Sequence, residues 1–403
     1  MENDLLYQLA LTRVRGIGAF HMRILMTRFG TAAAIFRTAP HILGKIRGIG
    51  NIRVKAISEF KDFQAAEKEQ AFLEKYKIRS LFFTDPDYPR RLADSCHAPA
   101  LLFYKGTADL NAAKIIAVVG TRSPTEYGRQ TVEKFIEGLS VPGLLIVSGL
   151  AYGIDVASHK AALKNHLPTI GVLGHGLDQI YPPQHAALAR EMTKQGGLLT
   201  QFNAGTSPED YNFPVRNQIV ARMSDAIVVI ETDRRGGSML SAENAWRYGK
   251  KLFAFPGRIT DPKSAGCNAL IRQGKARLLT DPQQLIQEMG WDRQPGTKPG
   301  AKRAPAQAAL FQAQGTRSGD AGPAVAPAGQ PARSTGFGTP TAAALTTDEK
   351  ALLNSIRQRG SLSHDELLVA HGLGHGAMAL ALLNLELKGL IKSLPGRMYR
   401  LPV

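Results

Sequence analysis

Between residues 114 and 290 short apolar runs alternate with amphipathic stretches. IIAVVG, LLIVSG, TIGVLG, GLLTQ, AIVVIE and LFAFPG are each followed by a helix-like segment. Almost unbroken apolarity is what strands covered on both faces require, so the pattern predicts a doubly wound α/β fold with a largely parallel, Rossmann-like sheet. Ligands of such sheets bind beyond the carboxyl ends of the strands. Function is therefore expected in the loops that follow these runs.

The flanks read differently. Residues 1–75 form helices punctuated by VRGIG (Val14 to Gly18) and IRGIG (Ile46 to Gly50), each a Gly-x-Gly turn between apolar helical stretches. This resembles a helix-hairpin-helix (SAM-like) domain, and its first 57 residues carry nine Lys/Arg against two acids, a net +7. Such a hairpin can turn backbone N–H groups and a helix N-terminus toward a phosphate, or its glycines can merely make tight turns. The Rossmann-like core is expected over 76–291. Across 292–344, 15 of 53 residues are Pro or Gly and 14 are Ala, without hydrophobic periodicity, which predicts a disordered linker. Residues 345–403 give three helix-like segments and a terminal hairpin, a winged-helix pattern. Ser363 and Glu366 form its capping box, 372–376 its turn, and Pro395-Gly396 the hairpin tip.

Charge narrows the partner. With 50 Lys/Arg against 33 Asp/Glu the chain is +17, which favours polyanions and puts nucleic acid first. Only Cys96 and Cys267 occur, without a CxxC pattern, so neither a disulfide framework nor a structural zinc site is expected and a reducing cytoplasm fits. No apolar run approaches a membrane span and no signal-peptide pattern opens the chain, so membrane and secretion are excluded as expectations.

Candidate chemistry sits in four loops. Gly120-Thr121-Arg122-Ser123-Pro124 follows the first run and opens a helix, as an anion site would, yet it is neither a Walker loop nor GxGxxG. The second run ends in Ser148 where an NAD site needs an acid, so no dinucleotide cofactor is assigned. Arg122 is the chief phosphate clamp. In residues 148–163 Ser148 lacks the GxSxG elbow and is read as a phosphate-binding hydroxyl or helix cap. Asp155 and His159, four apart, are expected to share a hydrogen bond. His175, Asp178 and His185 are not assigned a metal. YNFPVRN places Phe213, Arg216 and Asn217 at a helix start, a stacking surface beside an arginine that suits single strands, although Phe213 can equally be core. DRRGGS offers a second phosphate loop, with Arg234 and Arg235 flanking it.

In order along the chain, DYPRRLADSCHAPALLFYKG, AVVGTRSPTEYG, VSGLAYGIDVASHKAAL, TIGVLGHGLDQIYP, NFPVRNQIVA, GGSMLSAENA, FAFPGRI and GCNALIRQG resemble DNA processing protein A, the DprA/Smf family. The similarity runs from about Tyr88 to Arg272. It implies a core that forms a homodimer, binds single-stranded DNA with little sequence preference, protects incoming DNA and helps load RecA recombinase in natural transformation, with no enzymatic step. The DNA-binding positions it implies are Gly120, Arg122, Ser148, Gly149, Phe213, Arg216, Asn217, Gly237 and Ser238. Gln201 stands where the family's strand usually ends in Ser-Glu, Gln218 replaces the second arginine of FPxRNR, and Lys275 follows RQG where alanine is usual. Two alternatives stand beside this reading. Nucleotide phosphoribohydrolases carry PGGxGTxxE, loosely matched by RGGSMLSAENA, which would make Glu243 catalytic. A winged-helix duplex DNA regulator is the other, although residues 346–403 hold only seven Lys/Arg against five acids.

Overall fold

A computed structural model describes residues 4–93, 95, 98–292, 346–371, 378, 381, 382, 384–386, 388–394 and 398–401. The expected linker from residue 293 onward, the turns at 372–376 and 395–396, and Cys96 lie outside the described residues.

All six apolar runs are strands. They are β3 (Lys114–Val119), β4 (Leu144–Ser148), β5 (Thr169–Val172), β6 (Gly197–Thr200), β7 (Ala226–Val229) and β8 (Lys251–Ala254). Upstream lie β1 (Arg79–Phe82) and β2 (Leu101–Gly106), and β9 (Arg277–Leu278) follows β8. The sheet order is β1-β2-β6-β5-β4-β3-β7-β8-β9, parallel from β6 through β9, with β2 antiparallel to β6 and β1 antiparallel to β2. A period of two is hidden inside the apolar runs. Ile115, Ala117, Val119, Leu145 and Val147 enter the core on one face, while Ile116, Val118, Leu144 and Ile146 enter the core on the other. Chain order reverses between β3 and β7, and that reversal opens a crevice at their carboxyl ends.

The helices Asp4–Arg13, Ala19–Phe29, Ala32–Arg37, Pro40–Leu43, Asn51–Ser58 and Phe63–Lys75 precede the sheet. The two Gly-x-Gly turns take the backbone that only glycine adopts freely, with φ of 79° at Gly16 and 91° at Gly48. Arg53 ties the hairpins together by donating to the carbonyls of Gly16 (3.0 Å) and Gly48 (3.4 Å). These helices share one core with Phe82 of β1 and Leu101 and Phe103 of β2. Within the PRRL motif, Arg91 makes a two-pronged ion pair with Asp225, both bonds 2.8 Å, and that carboxylate also accepts from the Ile115 N–H at the foot of β3.

The C-terminal winged-helix region contains the helices Thr347–Arg359 and His364–His371 and a small sheet of β10 (Ser361–Ser363), β11 (Lys392–Leu394) and β12 (Met398–Arg400), in the order β10-β12-β11. Both halves of the expected Ser363 capping box form: Glu366 N–H donates to Ser363 Oγ (3.2 Å) and the carboxylate accepts from Ser363 N–H (2.7 Å). A second box, Thr346 with Glu349, starts the preceding helix. Among the described residues no helix is long and apolar enough to cross a membrane.

Candidate nucleic-acid interface

The crevice at the β3/β7 reversal is a cleft of about 450 Å³. Into it converge the loop after β3, the loop after β4, and the starts of the helices Ile154–Lys164, Asn212–Met223 and Gly237–Arg247. Three helix N-termini aimed at one volume make it electropositive before any side chain is counted.

The helix start after β3, expected to hold an anion, is already occupied. The helix that the loop after β3 opens, Glu126–Glu137, is capped by Thr125, whose N–H and hydroxyl both donate to the buried carboxylate of Glu231 (2.9 and 2.5 Å). Thr121 N–H is likewise taken by the Glu231 carbonyl at 2.7 Å. A phosphate would meet a carboxylate at that helix start. What the loop contributes is Arg122, which is exposed and lies over the Phe213 ring at 5.3 Å. Close packing on Ile154 and the Glu231 carbonyl leaves no room for a Cβ at Gly120, and the same holds at Gly153 (φ 83°) against Thr121 and Arg122. These glycines let the β3 and β4 loops touch.

Phe213 is half-buried on the cleft wall, tilted at 33° to Tyr181 with centroids 6.3 Å apart, and is absent from the buried core clusters. The ring is therefore not a core residue, and one side of it is open to the cleft. Asn217 and Gly237 also line the cleft, and open space surrounds the α-carbon of Gly237. The helix Gly237–Arg247 has no side-chain cap; Met239 N–H donates to the Gly236 carbonyl at 2.9 Å, which leaves the N–H groups of Gly237 and Ser238, two residues of the cleft lining, without an internal partner. Ser238 is 8% exposed and its hydroxyl donates to Thr232 Oγ1 at 2.7 Å, which leaves its backbone as the usable group. Arg234 and Arg235 are exposed on the adjoining loop.

Two of the expected DNA contacts occupy different places. Ser148 is fully buried, with its hydroxyl donating to the Val118 carbonyl at 2.6 Å, so it fastens β4 to β3 rather than facing the cleft. Arg216 is 5% exposed and forms part of the cleft floor, where Nη1 donates to the Val172 carbonyl at 2.6 Å and Nε has no hydrogen-bond partner. Burial pulls its pKa down, and the neighbouring Asp155 works against that. Asp155 shows the mirror effect: burial raises its pKa, while Arg216 and the Ala151 N–H oppose the rise. A Cβ on Gly149 would run into both groups, so the glycine is what allows this buried pair.

Asp155 and His159 do not bond to each other. His159 bridges Thr169 Oγ1 (2.7 Å) and the Gly149 carbonyl (2.5 Å). Since a carbonyl only accepts, Nε2 carries the proton and Nδ1 accepts from the threonine. Burial drives its pKa down to about 4. His175 is held by the Gly176 carbonyl and the Tyr181 N–H, and His185 by the Leu150 carbonyl. Among the described residues no group of three or more His, Cys, Asp or Glu could hold a metal. Cys267 is buried, its thiol pKa pushed up to about 12 by desolvation, which makes it a poor nucleophile. Glu243, half-exposed, faces Arg247 at 3.9 Å and is not among the residues lining the cleft.

Sequence reasoning missed Glu231 as the acceptor that occupies the start of the helix Glu126–Glu137 and Asp155 as the counter-charge of Arg216. The acid ending AIVVIE was a signal for the first. Nothing in one sequence signals the second, because residues 155 and 216 meet only through the parallel crossover. Gln201 and Gln218, the two departures in charge, line one and the same second cavity.

The profile of the family DNA recombination-mediator protein A matches residues 79–290, and the DprA winged helix domain matches 338–397. Protein Smf of Synechocystis sp. is 33% identical over 294 residues, spanning 70% of this chain and 72% of the relative. DNA processing protein DprA of Streptococcus pneumoniae is 40% identical over 249 residues, 61% of this chain and 86% of the relative. The X-ray structure of DprA from Streptococcus pneumoniae superimposes with a TM-score of 0.60 at 34% identity, covering 70% of this chain and 97% of that one. Matched in its core, its winged helix and its fold, the chain belongs to the DNA recombination-mediator protein A family, the DprA/Smf proteins, and its role is in DNA processing.

Proposed function

We propose that the cleft binds single-stranded DNA with little sequence preference, through Arg122, the Gly237 and Ser238 amides and Asn217 on phosphates and through Phe213 on bases. One observation carries this reading: an exposed arginine, a half-exposed aromatic ring and an uncapped helix start share one cleft. The ring matters most, because bases of a single strand are free to stack on it and those of a duplex are not. The strand so held is shielded incoming DNA and the substrate for RecA loading during natural transformation. A homodimer is the working form, a reading supported by the two-residue edge strand β9 with Leu278 43% exposed. The position of Glu243 outside the cleft argues against phosphoribohydrolase chemistry.

The test is titration of labelled single-stranded and duplex oligonucleotides over a salt series, with base release from nucleoside monophosphates followed in parallel. Tighter single-strand binding that falls as salt rises is expected, because phosphate contacts release counterions. Equal affinity for duplex, or a flat salt response, refutes the groove. Base release abolished by Glu243→Gln would establish the enzyme instead.

A further inference from the structure

A second cavity, about 340 Å³, lies across the helix Asn212–Met223 from the cleft, between that helix, β2 and the first helical hairpin. Its walls are apolar: Ile17 and Met22 from the hairpin, Leu101 and Phe103 from β2, and Ile219 from the helix are all buried. Its polar lining holds three carboxamides, Gln201 and Asn203 after β6 and Gln218 on the helix, beside Thr12, whose hydroxyl donates to the Leu9 carbonyl at 2.7 Å. Among the described residues no carboxylate lines it, and the side chains of Gln201 and Asn203 have no hydrogen-bond partner. Arg222, the cation of the lining, is occupied: its guanidinium lies 3.9 Å over the Tyr248 ring and bonds Ser95.

Apolar walls with the unpaired carboxamides of Gln201 and Asn203, a third at Gln218 whose Oε1 accepts from the Tyr248 hydroxyl at 3.4 Å, and almost no free charge complement a nucleobase. The faces of a base need apolar contact, and its edge needs donors and acceptors side by side, which each carboxamide supplies. An anion would find only the engaged Arg222, and a cation no carboxylate. The two sites share a wall. Helical spacing turns Phe213, Arg216 and Asn217 to the cleft and Val215, Gln218, Ile219 and Arg222 to the cavity. A strand anchored in the cleft has one helix, about 10 Å across, to cross before it reaches the second cavity.

We propose that this cavity receives one unstacked nucleobase of the strand held in the cleft and reads its edge through Gln201, Asn203 and Gln218. The proposal rests on the single-strand reading of the cleft. It adds to that reading a base-dependent contact at a second place.

The full chain is titrated with the shortest oligonucleotide that still binds, so that register is fixed, carrying one abasic site walked along it. An abasic site at one position is expected to weaken wild-type binding by on the order of tenfold. Gln201→Ala/Asn203→Ala is expected to lose a similar factor with the intact strand and nothing further from that abasic site, with an unchanged melting temperature. A flat abasic profile in a chain that binds the intact strand overturns the cavity and leaves the cleft standing. Absence of single-strand binding overturns both. Saturable binding of free deoxynucleosides that Gln201→Ala/Asn203→Ala removes and Arg122→Ala leaves intact, together with a flat abasic profile, overturns the strand as the source of the base.

Discussion

Replacing Arg216 by alanine separates a floor residue from a phosphate ligand. In the folded chain its guanidinium donates to the Val172 carbonyl at 2.6 Å and lies beside the buried carboxylate of Asp155. A hydrogen bond from a charged donor contributes about 1.5–3 kcal/mol, and removing one partner of a buried pair costs about 3–5 kcal/mol. The two overlap, because the stranded Asp155 can take up a proton, so about 3–4 kcal/mol is expected in total. At roughly 2–4 °C per kcal/mol for a domain of this size, melting should fall by about 10 °C. The pH dependence has a fixed sign. Asp155 already titrates above the ordinary carboxylate range because it is buried, and without Arg216 it titrates higher still. The unfolded chain therefore ionises first as pH rises in both proteins, and the variant's deficit relative to wild type grows between the pKa of Asp155 in wild type and its higher pKa in the variant. The assay is thermal melting of wild type and variant at pH 5 and pH 8, with single-strand titration at a temperature where both are folded. A variant that melts like wild type at both pH values yet loses binding would refute the structural role and make Arg216 a free phosphate ligand.

Three further outcomes follow from the same geometry. Arg122→Ala should weaken single-strand binding by about 1–3 kcal/mol and lower the salt slope by about 1 while melting is unchanged, because the side chain is exposed; a large fall in melting temperature would make it structural. His159, held neutral with a pKa of about 4 against an ordinary 6.5, should make wild type lose stability as pH falls through that window, by about 3 kcal/mol relative to His159→Gln in urea titrations; parallel pH profiles would refute its burial as a neutral ring. A fragment ending at Gly290 should retain most single-strand binding, measured by titration with light scattering to follow its assembly; loss of binding by a folded fragment would make the winged helix the main reader.

The six core strands were legible because a continuous apolar run of four to six residues, bounded by glycine in all but AIVVIE, is too short for a buried helix and fits a strand covered on both faces. β1, β2 and β9 were not read as strands: RSLF mixes polar and apolar positions, LLFYKG sat inside a long motif, and β9 is two exposed residues. Arg122 and Phe213 were legible as cleft residues because a loop and a helix start at the carboxyl ends of the strands leave them accessible. Ser148 and Arg216 were misplaced for a common reason. Residue type reports what a side chain can bind, whereas the neighbouring elements decide whether solvent reaches it: parallel strands bring 118 to 148, and a helix packed on the sheet brings 216 to 172, without any local sequence mark.

An acid at the floor of a site for polyanions looks contradictory until the charges are sorted by depth. Arg216 alone, buried at 5% exposure, would be an uncompensated charge, and Asp155 cancels it. The floor is then close to neutral and contributes shape rather than attraction. Attraction comes from the rim, from Arg122, Arg234 and Arg235, and from the N–H groups at Gly237, all in contact with water. Rim charges in high dielectric bind phosphates quickly and let them go quickly, with strong dependence on salt. A deep unpaired cation would hold one phosphate for long periods. Under the proposed single-strand reading, a strand held by rim charges is one that can be given up again, and Asp155 is the residue that keeps the holding charge there.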